Sequence, residues 1–281
     1  MCIILLFFHV HPDLPLVVAA NRDEFYARRS SGPDRLFTSP RAVGGRDLRA
    51  GGTWMGVTET GFFAGLTNLR TLGPPEPARR SRGEIVIQAL RTGSVRATET
   101  WIRAVDAHEY NPYNLVFGDG RELWIASSGE GDAIARLLRL EAGLHVITNA
   151  PVGTPWPKVT RTRKLASPLS KAPLSALVPA LQRILADHRV PSPRAVPTPP
   201  AWLTAEVARK LQSLCVHTPR YGTRSSTVVA IGSDRVVYYG FADGPPCTTR
   251  LVDRTAMIAS SGGPSGDPGG SPNEDPVQEG A

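Results

Sequence analysis

The chain opens on a run, Cys2 to Val10, that is apolar for most of its length and rich in β-branched and aromatic residues. The turn-forming stretch His11-Pro12-Asp13-Leu14-Pro15 follows, and then a second apolar run, Leu16 to Ala20. Apolar runs of this length bounded by turn residues predict a buried β-hairpin. A loop of two to four residues would pair the strands antiparallel and bring residue 2 within a residue or two of Asn21-Arg22-Asp23-Glu24. Such a polar block directly after a buried strand is costly to bury unpaired and useful around a reacting carbonyl; its bland alternative is a solvated loop with an internal salt bridge.

Downstream, residues 51–58 and 62–68 flank Glu59-Thr60-Gly61 and predict a second hairpin that ends at Asn68. Ser81 with Glu84 forms a capping-box signature ahead of Ile85 to Leu90, and a second helix is expected over Val95 to Ala107 with Ile102 and Val105 inward. Strands return at Asn114 to Phe117, Leu123 to Ala126 and His145 to Thr148, the last ending in Asn149. Helices are predicted at Pro157 to Ala166, at Leu174 to His188 with Pro179 arguing for a kink or late start, and at Thr204 to Leu214. The proline-rich stretch Val190 to Pro200 between them reads as an exposed connection within one domain. Ser226 to Ile231 and Val236 to Phe241 alternate around Gly232-Ser233-Asp234, with Leu251 and Val252 as a further strand. Sheets interrupted by paired helices, with hairpins in place of crossover connections, indicate two packed antiparallel sheets covered by helices, an α+β sandwich.

Composition narrows the partners. Residues 1–258 are expected to form one domain, and 259–281, built of Gly, Pro, Ser and acidic residues, a disordered tail. That tail holds Asp267, Glu274, Asp275 and Glu279 and no basic residue, which leaves 32 basic against 21 acidic residues in the body. Arginine supplies 28 of the 32, scattered along the sequence, which suits an anionic small molecule and gives no basic stripe for nucleic acid. No apolar run reaches about 18 residues, so no transmembrane helix is expected. His9, His11 and Asp13 interrupt the first apolar stretch and nothing basic precedes it, so no signal peptide is expected either, and a cytoplasmic protein is. Cys2, Cys215 and Cys247 give an odd count without disulfide framework or zinc spacing, and no metal site is assigned.

Cys2 carries the sharpest chemistry. Removal of Met1 would leave a thiol (pKa near ~8.5) and an α-amine (near ~7.7–8.0) on one residue, a nucleophile with its own base. The bland reading is a small residue packed in a first strand.

Several blocks bear on that choice: Met1-Cys2 opening a hydrophobic strand, Asn21-Arg22-Asp23-Glu24, Gly51-Gly52-Thr53-Trp54, Gly65-Leu66-Thr67-Asn68, Thr148-Asn149-Ala150-Pro151, residues 154–159 around Trp156-Pro157-Lys158, and residues 221–227 around Arg224. In this order the chain resembles the NRDE family, also called the transport and Golgi organisation protein 2 family, from residue 1 to about residue 254. The resemblance implies the four-layer αββα sandwich of N-terminal-nucleophile hydrolases and a distant similarity to bile-salt hydrolases and penicillin V acylases. It implies Cys2 as nucleophile, Arg22 and Asp23 on the second strand, Asn149 and a donor at Asn68 for the oxyanion, and Arg224 beside the nucleophile. Trp54 and Trp156 are expected as core or pocket-wall residues and Lys158 as a substrate contact, while Asp47 matches a family position without an assigned role, a loop-stabilising hydrogen bond being the default. The predicted reaction is cleavage of an amide or thioester of an acylated small molecule, with no cofactor.

The same resemblance implies an alternative, a non-enzymatic haem-trafficking factor. Haem would then be a ligand, with His9, His11, His217, Cys2 and Cys215 the available axial groups. Cys215-Val216-His217 and His9-Val10-His11 each place two such side chains on one face if they lie in strands, and the chain has no Cys-x-x-Cys-His attachment signature.

Overall fold

The computed structural model describes residues 3–196 and 198–258. Its first strand, β1 (Ile3–Phe8), and the first eight residues of β2 (Leu16–Phe25) are buried throughout, as runs apolar on both faces require. They pair antiparallel from Ile3↔Asn21 to Phe8↔Leu16. The connection is longer than the sequence suggests, covering residues 9–15, and it is closed by the His9 N–H bonding to Pro15 O. His9 takes a positive φ of 50°, and His11 is buried with its Nε2 on Ala172 O. The His-Val-His stretch is therefore a turn, and its two rings do not share a strand face.

Beyond β2 the chain forms β3 (Ser30–Thr38), β4 (Arg41–Asp47), β5 (Met55–Thr58) and β6 (Phe63–Asn68). Helices α1 (Arg82–Thr92) and α2 (Val95–Ala104) follow, then β7 (Tyr113–Gly118), β8 (Leu123–Ser128), β9 (Arg136–Arg139) and β10 (Gly143–Thr148). Helices α3 (Pro157–Ala166), α4 (Leu174–Leu185) and α5 (Ala205–Lys210) precede β11 (Tyr221–Ile231), β12 (Val236–Ala242) and β13 (Val252–Asp253). One sheet has the order β10-β1-β2-β11-β12-β13, the other β3-β4-β5-β6-β7-β8-β9, and every pairing is antiparallel.

Residue parity sorts the core into three interiors. Ile4, Leu6, Phe8, Val18 and Ala20 face the other sheet and meet Val57, Phe63, Val116 and Ile125. Ile3, Leu5, Phe7, Val17 and Ala19 face the opposite way, onto Val159, Leu177, Leu181 and Leu185 of α3 and α4. On the far side, Ala64, Leu66, Leu115 and Phe117 pack under Ile85, Val86, Ala89 and Leu90 of α1 and Ile102 of α2. The result is the expected α+β, four-layer αββα sandwich.

Local differences have local causes. Ser81 caps α1 by accepting from Gly83 N, but the reciprocal half of a capping box is missing because the Glu84 carboxylate is taken by Arg80. The second helix stops at Ala104, and Asp106 caps a separate 3-10 turn at Ala107–Glu109. Helix α4 starts at Leu174 despite Pro179 inside it, and α5 ends at Lys210, ahead of Leu214. Strands β3 and β9 escape a hydrophobic reading because they are sheet edges with mostly half-exposed or exposed residues, and β4 because Gly44-Gly45 imitates a loop. Those glycines are steric necessities. A Cβ on Gly44 would lie 2.4 Å from Met55 O and one on Gly45 2.1 Å from the Trp54 ring. The run His145–Thr148 pairs with β1, so β10 leaves its sequence neighbour β9 and joins the other sheet.

Two polar groups tie these layers together. Asn21 is fully buried; its Nδ2 donates to Leu185 O and Leu214 O at 2.9 Å each, and its Oδ1 accepts from Ser226 Oγ at 2.6 Å. Asp47, at the end of β4, accepts two hydrogen bonds from Arg28 Nε and one from Nη2 (2.5 Å), plus Arg49 N. Burial pushes the Asp47 carboxyl up, but the Arg28 and Arg49 donors outweigh that and hold it below the usual range. Asp47 thus holds the turn after β4 by accepting hydrogen bonds from Arg49 N and Gly51 N.

Asn21→Ala should lower unfolding free energy by about 2–4 kcal/mol in chemical denaturation, because two buried carbonyls and a hydroxyl lose their partner. Asp47→Asn should cost about 1–2 kcal/mol at neutral pH. A carboxyl held low in the folded state stabilises above its unfolded pKa near ~3.9, and that contribution fades as pH falls through the lower folded value. The stability gap between wild type and Asp47→Asn should therefore close below about pH 4.

Candidate active site

Where β1 begins, the two sheets are stitched by polar groups. Thr67 Oγ1, near the end of β6, donates to Thr148 O at 2.8 Å. The buried Asn114 of β7 donates from Nδ2 to Thr148 O and Ala150 O and accepts from Ser127 Oγ. One residue on, Asn149 Nδ2 donates to Asn68 O at 2.7 Å while Asn149 O accepts from Arg70 N. Asn68 and Asn149, which come from different sheets, are thereby brought together, and Thr148 is paired with Ile3. The supporting pair Thr67 and Asn114 is missed by sequence reasoning. Its one signal is a buried Asn in the otherwise apolar run Tyr113-Asn114-Leu115-Val116-Phe117.

Strand β2 presents its charged residues on alternate faces. Arg22, only 4% exposed, turns toward the space between the sheets. Its guanidinium lies 4.4 Å from the Trp54 ring centroid, and its Nη1 donates to Ser30 Oγ at 3.2 Å. Trp54 in turn rests against Gly45, whose missing side chain makes room for the indole. Asp23, equally buried, turns to the helix side, where its Oδ1 accepts from Thr223 Oγ1 at 2.6 Å. A bulge in β11 pairs Thr223 with Asp23 and Ser225 with Arg22, leaving Arg224 as the extra residue. Arg224 Nη1 donates to Tyr26 O at 2.6 Å, and its charge acts on Arg22.

Arg22, Trp54 and Asn68 line a cleft of about 680 Å³ together with Arg28, Arg49, Arg79, Arg80 and Arg82. The carboxylates on its walls are largely engaged: Asp47 with Arg28, Glu76 with Arg79, and Glu84 with Arg80. Arg22 and Arg82 have no carboxylate within 4 Å among the described residues; Arg82 Nη1 donates to Pro112 O instead. Burial pulls the pKa of both down, that of Arg82 to about 10, with nearby carboxylates only partly offsetting it. Desolvated cations whose charge is only partly offset make the cleft a place where an anion gains.

The remaining candidates stand elsewhere. Trp156 caps the start of α3, with Arg70 stacked 4.8 Å from its ring, and Lys158 is buried in the first turn of that helix. Neither lines the cleft. Cys2 lies outside the described residues, as does the stretch 259–281 read as a tail. Of the other thiols, Cys215 is buried, and desolvation and the neighbouring Cys247 push its pKa up. Cys215 and His217 meet Cys247 and His188, a cluster the spacing of cysteines in the sequence does not reveal because its members come from three separate segments. No helix among the described residues is long and apolar enough to cross a membrane.

Comparison with known proteins places the chain. A bovine Transport and Golgi organization protein 2 homolog is 30% identical over 255 residues, covering 83% of this chain and 90% of the bovine protein. The Drosophila melanogaster Transport and Golgi organization protein 2 is 25% identical over 268 residues, 85% of this chain and 90% of its own. Among solved structures, the C2A mutant of conjugated bile acid hydrolase from Clostridium perfringens superposes with a TM-score of 0.57 at 11% identity, over 92% of this chain and 94% of that one. At that identity the likeness establishes the N-terminal-nucleophile hydrolase fold. The sequence profile described as Transport and Golgi organisation 2 matches residues 1–240, and the chain belongs to that family.

Proposed function

We propose that the chain is an N-terminal cysteine hydrolase that cleaves an amide or thioester bond of an acylated small molecule carrying an anionic group. The observation that carries this reading is the β1 ladder: Ile3 is paired with Asn21 on one side and Thr148 on the other. Cys2 precedes Ile3 in the sequence, and Arg22 and Asn149 follow the two partners of Ile3, with Asp23 next along β2. Freed of Met1, the Cys2 amine would take the thiol proton, and the thiolate would attack the acyl carbonyl. Asn149, and a donor near Asn68, would hold the oxyanion, an interaction typically worth about 3–4 kcal/mol per donor. Collapse would expel the amine or thiol with the proton held by the α-amine, and water would release the acid from the acyl-cysteine. Asp23 would orient the amine, while Arg22, with Arg224 behind it, would favour the thiolate. The fold shared with a hydrolase captured as its C2A mutant supports this use of position 2.

The basic cleft supports an anionic substrate. Arg22 and Arg82, desolvated and without carboxylate partners, suit a carboxylate, sulfonate or phosphate on the acyl or leaving group. Trp54 would offer an apolar wall beside it. Of the candidate haem ligands among the described residues, His11 Nε2 is engaged by Ala172 O, and His217 by the two thiols.

Intact mass spectrometry of the purified protein should show a chain that begins at Cys2. Incubation with N-acyl amino acids and acyl thioesters should add an acyl mass to it, and Cys2→Ala should abolish both adduct and turnover. Retained Met1, or full activity in Cys2→Ala, would end the proposal. Arg82→Leu should raise KM for an anionic substrate by about 10-fold or more with kcat nearly kept, and leave a neutral analogue unchanged. A Soret shift on haem titration that survives Cys2→Ala, without turnover of any acyl compound, would favour the carrier role instead.

A further inference from the structure

On the helix side of the first sheet, away from the cleft, three segments bring four metal-ligating side chains to one point. His188 follows α4, Cys215 and His217 lie between α5 and β11, and Cys247 sits in the turn after β12. Their ligand atoms all lie within 4.8 Å of one another. From this arrangement we infer that His188, Cys215, His217 and Cys247 bind one Zn²⁺ ion as a tetrahedral two-thiolate, two-imidazole site.

The spacing fits the ion closely. With Zn–S near ~2.3 Å and Zn–N near ~2.0–2.1 Å, a tetrahedron has S–S edges of about 3.8 Å and S–N edges of about 3.5–3.6 Å. Cys215 Sγ lies 3.8 Å from Cys247 Sγ, and each sulfur lies 3.5 Å from His217 Nε2. Three corners therefore stand at the edge lengths a bound ion demands. His188 supplies the fourth; its exposed ring lies 4.9 Å from that of His217, tilted by 36°, with a ligand atom within 4.8 Å of the other three. A disulfide would need the sulfurs near ~2.0 Å and would leave both imidazoles without a purpose. Soft thiolates with imidazoles in a tetrahedral set select zinc over magnesium or calcium.

The surroundings are built to hold these ligands. Asp187 O accepts from both Leu214 N and Cys215 N, and His188 O accepts from Ser213 Oγ at 3.3 Å. Val216, between the two ligands, donates its N–H to Thr223 Oγ1, which donates onward to Asp23 Oδ1. Exposed His188, His217 and Cys247 leave an entry path, while Cys215 is buried. Four protein ligands close the coordination sphere, so the ion is structural. Binding replaces the two thiol protons by the metal and releases them to solvent. The ion would fasten the end of α4 and the turn after β12 to the approach of β11, and through Thr223 would steady Asp23.

The untagged full chain, purified without added metal, should carry about one zinc per chain by elemental mass spectrometry. Removal by a chelator should lower Tm, and Zn²⁺ alone should restore it. Co²⁺ added to the stripped protein should give the intense visible d–d bands of a tetrahedral site with a thiolate charge-transfer band. The double variant Cys215→Ser, Cys247→Ser should lose the metal, whereas His9→Ala and Cys2→Ala should keep it. A chain without zinc whose Co²⁺ complex lacks those bands would overturn the assignment, as would a Cys215–Cys247 disulfide in the native protein or zinc retained by the double variant. Should the double variant fail to fold, the Co²⁺ spectrum of the wild type decides. Because Cys2→Ala keeps the site, failure here and failure of the hydrolase reading are separable.

Discussion

The buried polar seam at one end of the sandwich is the constraint on which the candidate site depends. Two apolar sheet faces could slide over one another at small cost, since dispersion and burial carry no direction. The amide of Asn114 and the hydroxyl of Thr67 fix the offset by fastening β6 and β7 to the carbonyl of Thr148. Buried hydrogen-bonding groups cannot be left unmade cheaply, so this end of the sandwich has one register. The same bonds place Asn149 against Asn68 and bring the start of β1 beside both. Three separately folded pieces of chain therefore converge as a consequence of packing, before any substrate is considered.

The cleft beside that seam is electrostatically incomplete. Arg28, Arg79 and Arg80 are ion-paired in place, but Arg22 and Arg82 keep their charge with neutral acceptors or an indole as their direct contacts and no carboxylate within 4 Å among the described residues. Keeping guanidinium groups in such surroundings costs folding energy, and a ligand with the opposite sign would recover it. A ligand's charge, more than its shape, is thus what the walls of this cleft favour.

Much of this was readable from residues alone, and the failures are informative. The continuous apolar runs predicted β1 and β2 because strands buried on both faces have no polar alternation to confuse them. The Asn-Arg-Asp-Glu block was readable as a candidate site because charge directly after a buried strand is rarely left unpaired. Parity then divided it in a way no linear pattern announces: Asn21 is spent on holding α4 and the segment after α5, while Arg22 and Asp23 face opposite layers. Edge strands β3 and β9 and the glycine pair of β4 were hidden because they carry little hydrophobic signal. Haem-type ligands were sought as near neighbours in sequence, yet the tightest His and Cys grouping joins positions from 188 to 247 through the folding of three connections.

The bulge in β11 carries a further implication. Past it, Val228 and Ala230 turn to the helices and Val229 and Ile231 to the opposite sheet. Under that alternation Thr223 would point into the inter-sheet space, but the one additional residue reverses the order and hands its hydroxyl to Asp23. What the strand must keep between Tyr221 and Ser226 is therefore a count before it is a spelling. A side chain can be exchanged there at local expense, whereas a single-residue deletion would interchange the two sides of the strand and uncouple Asp23 from its neighbours at a stroke.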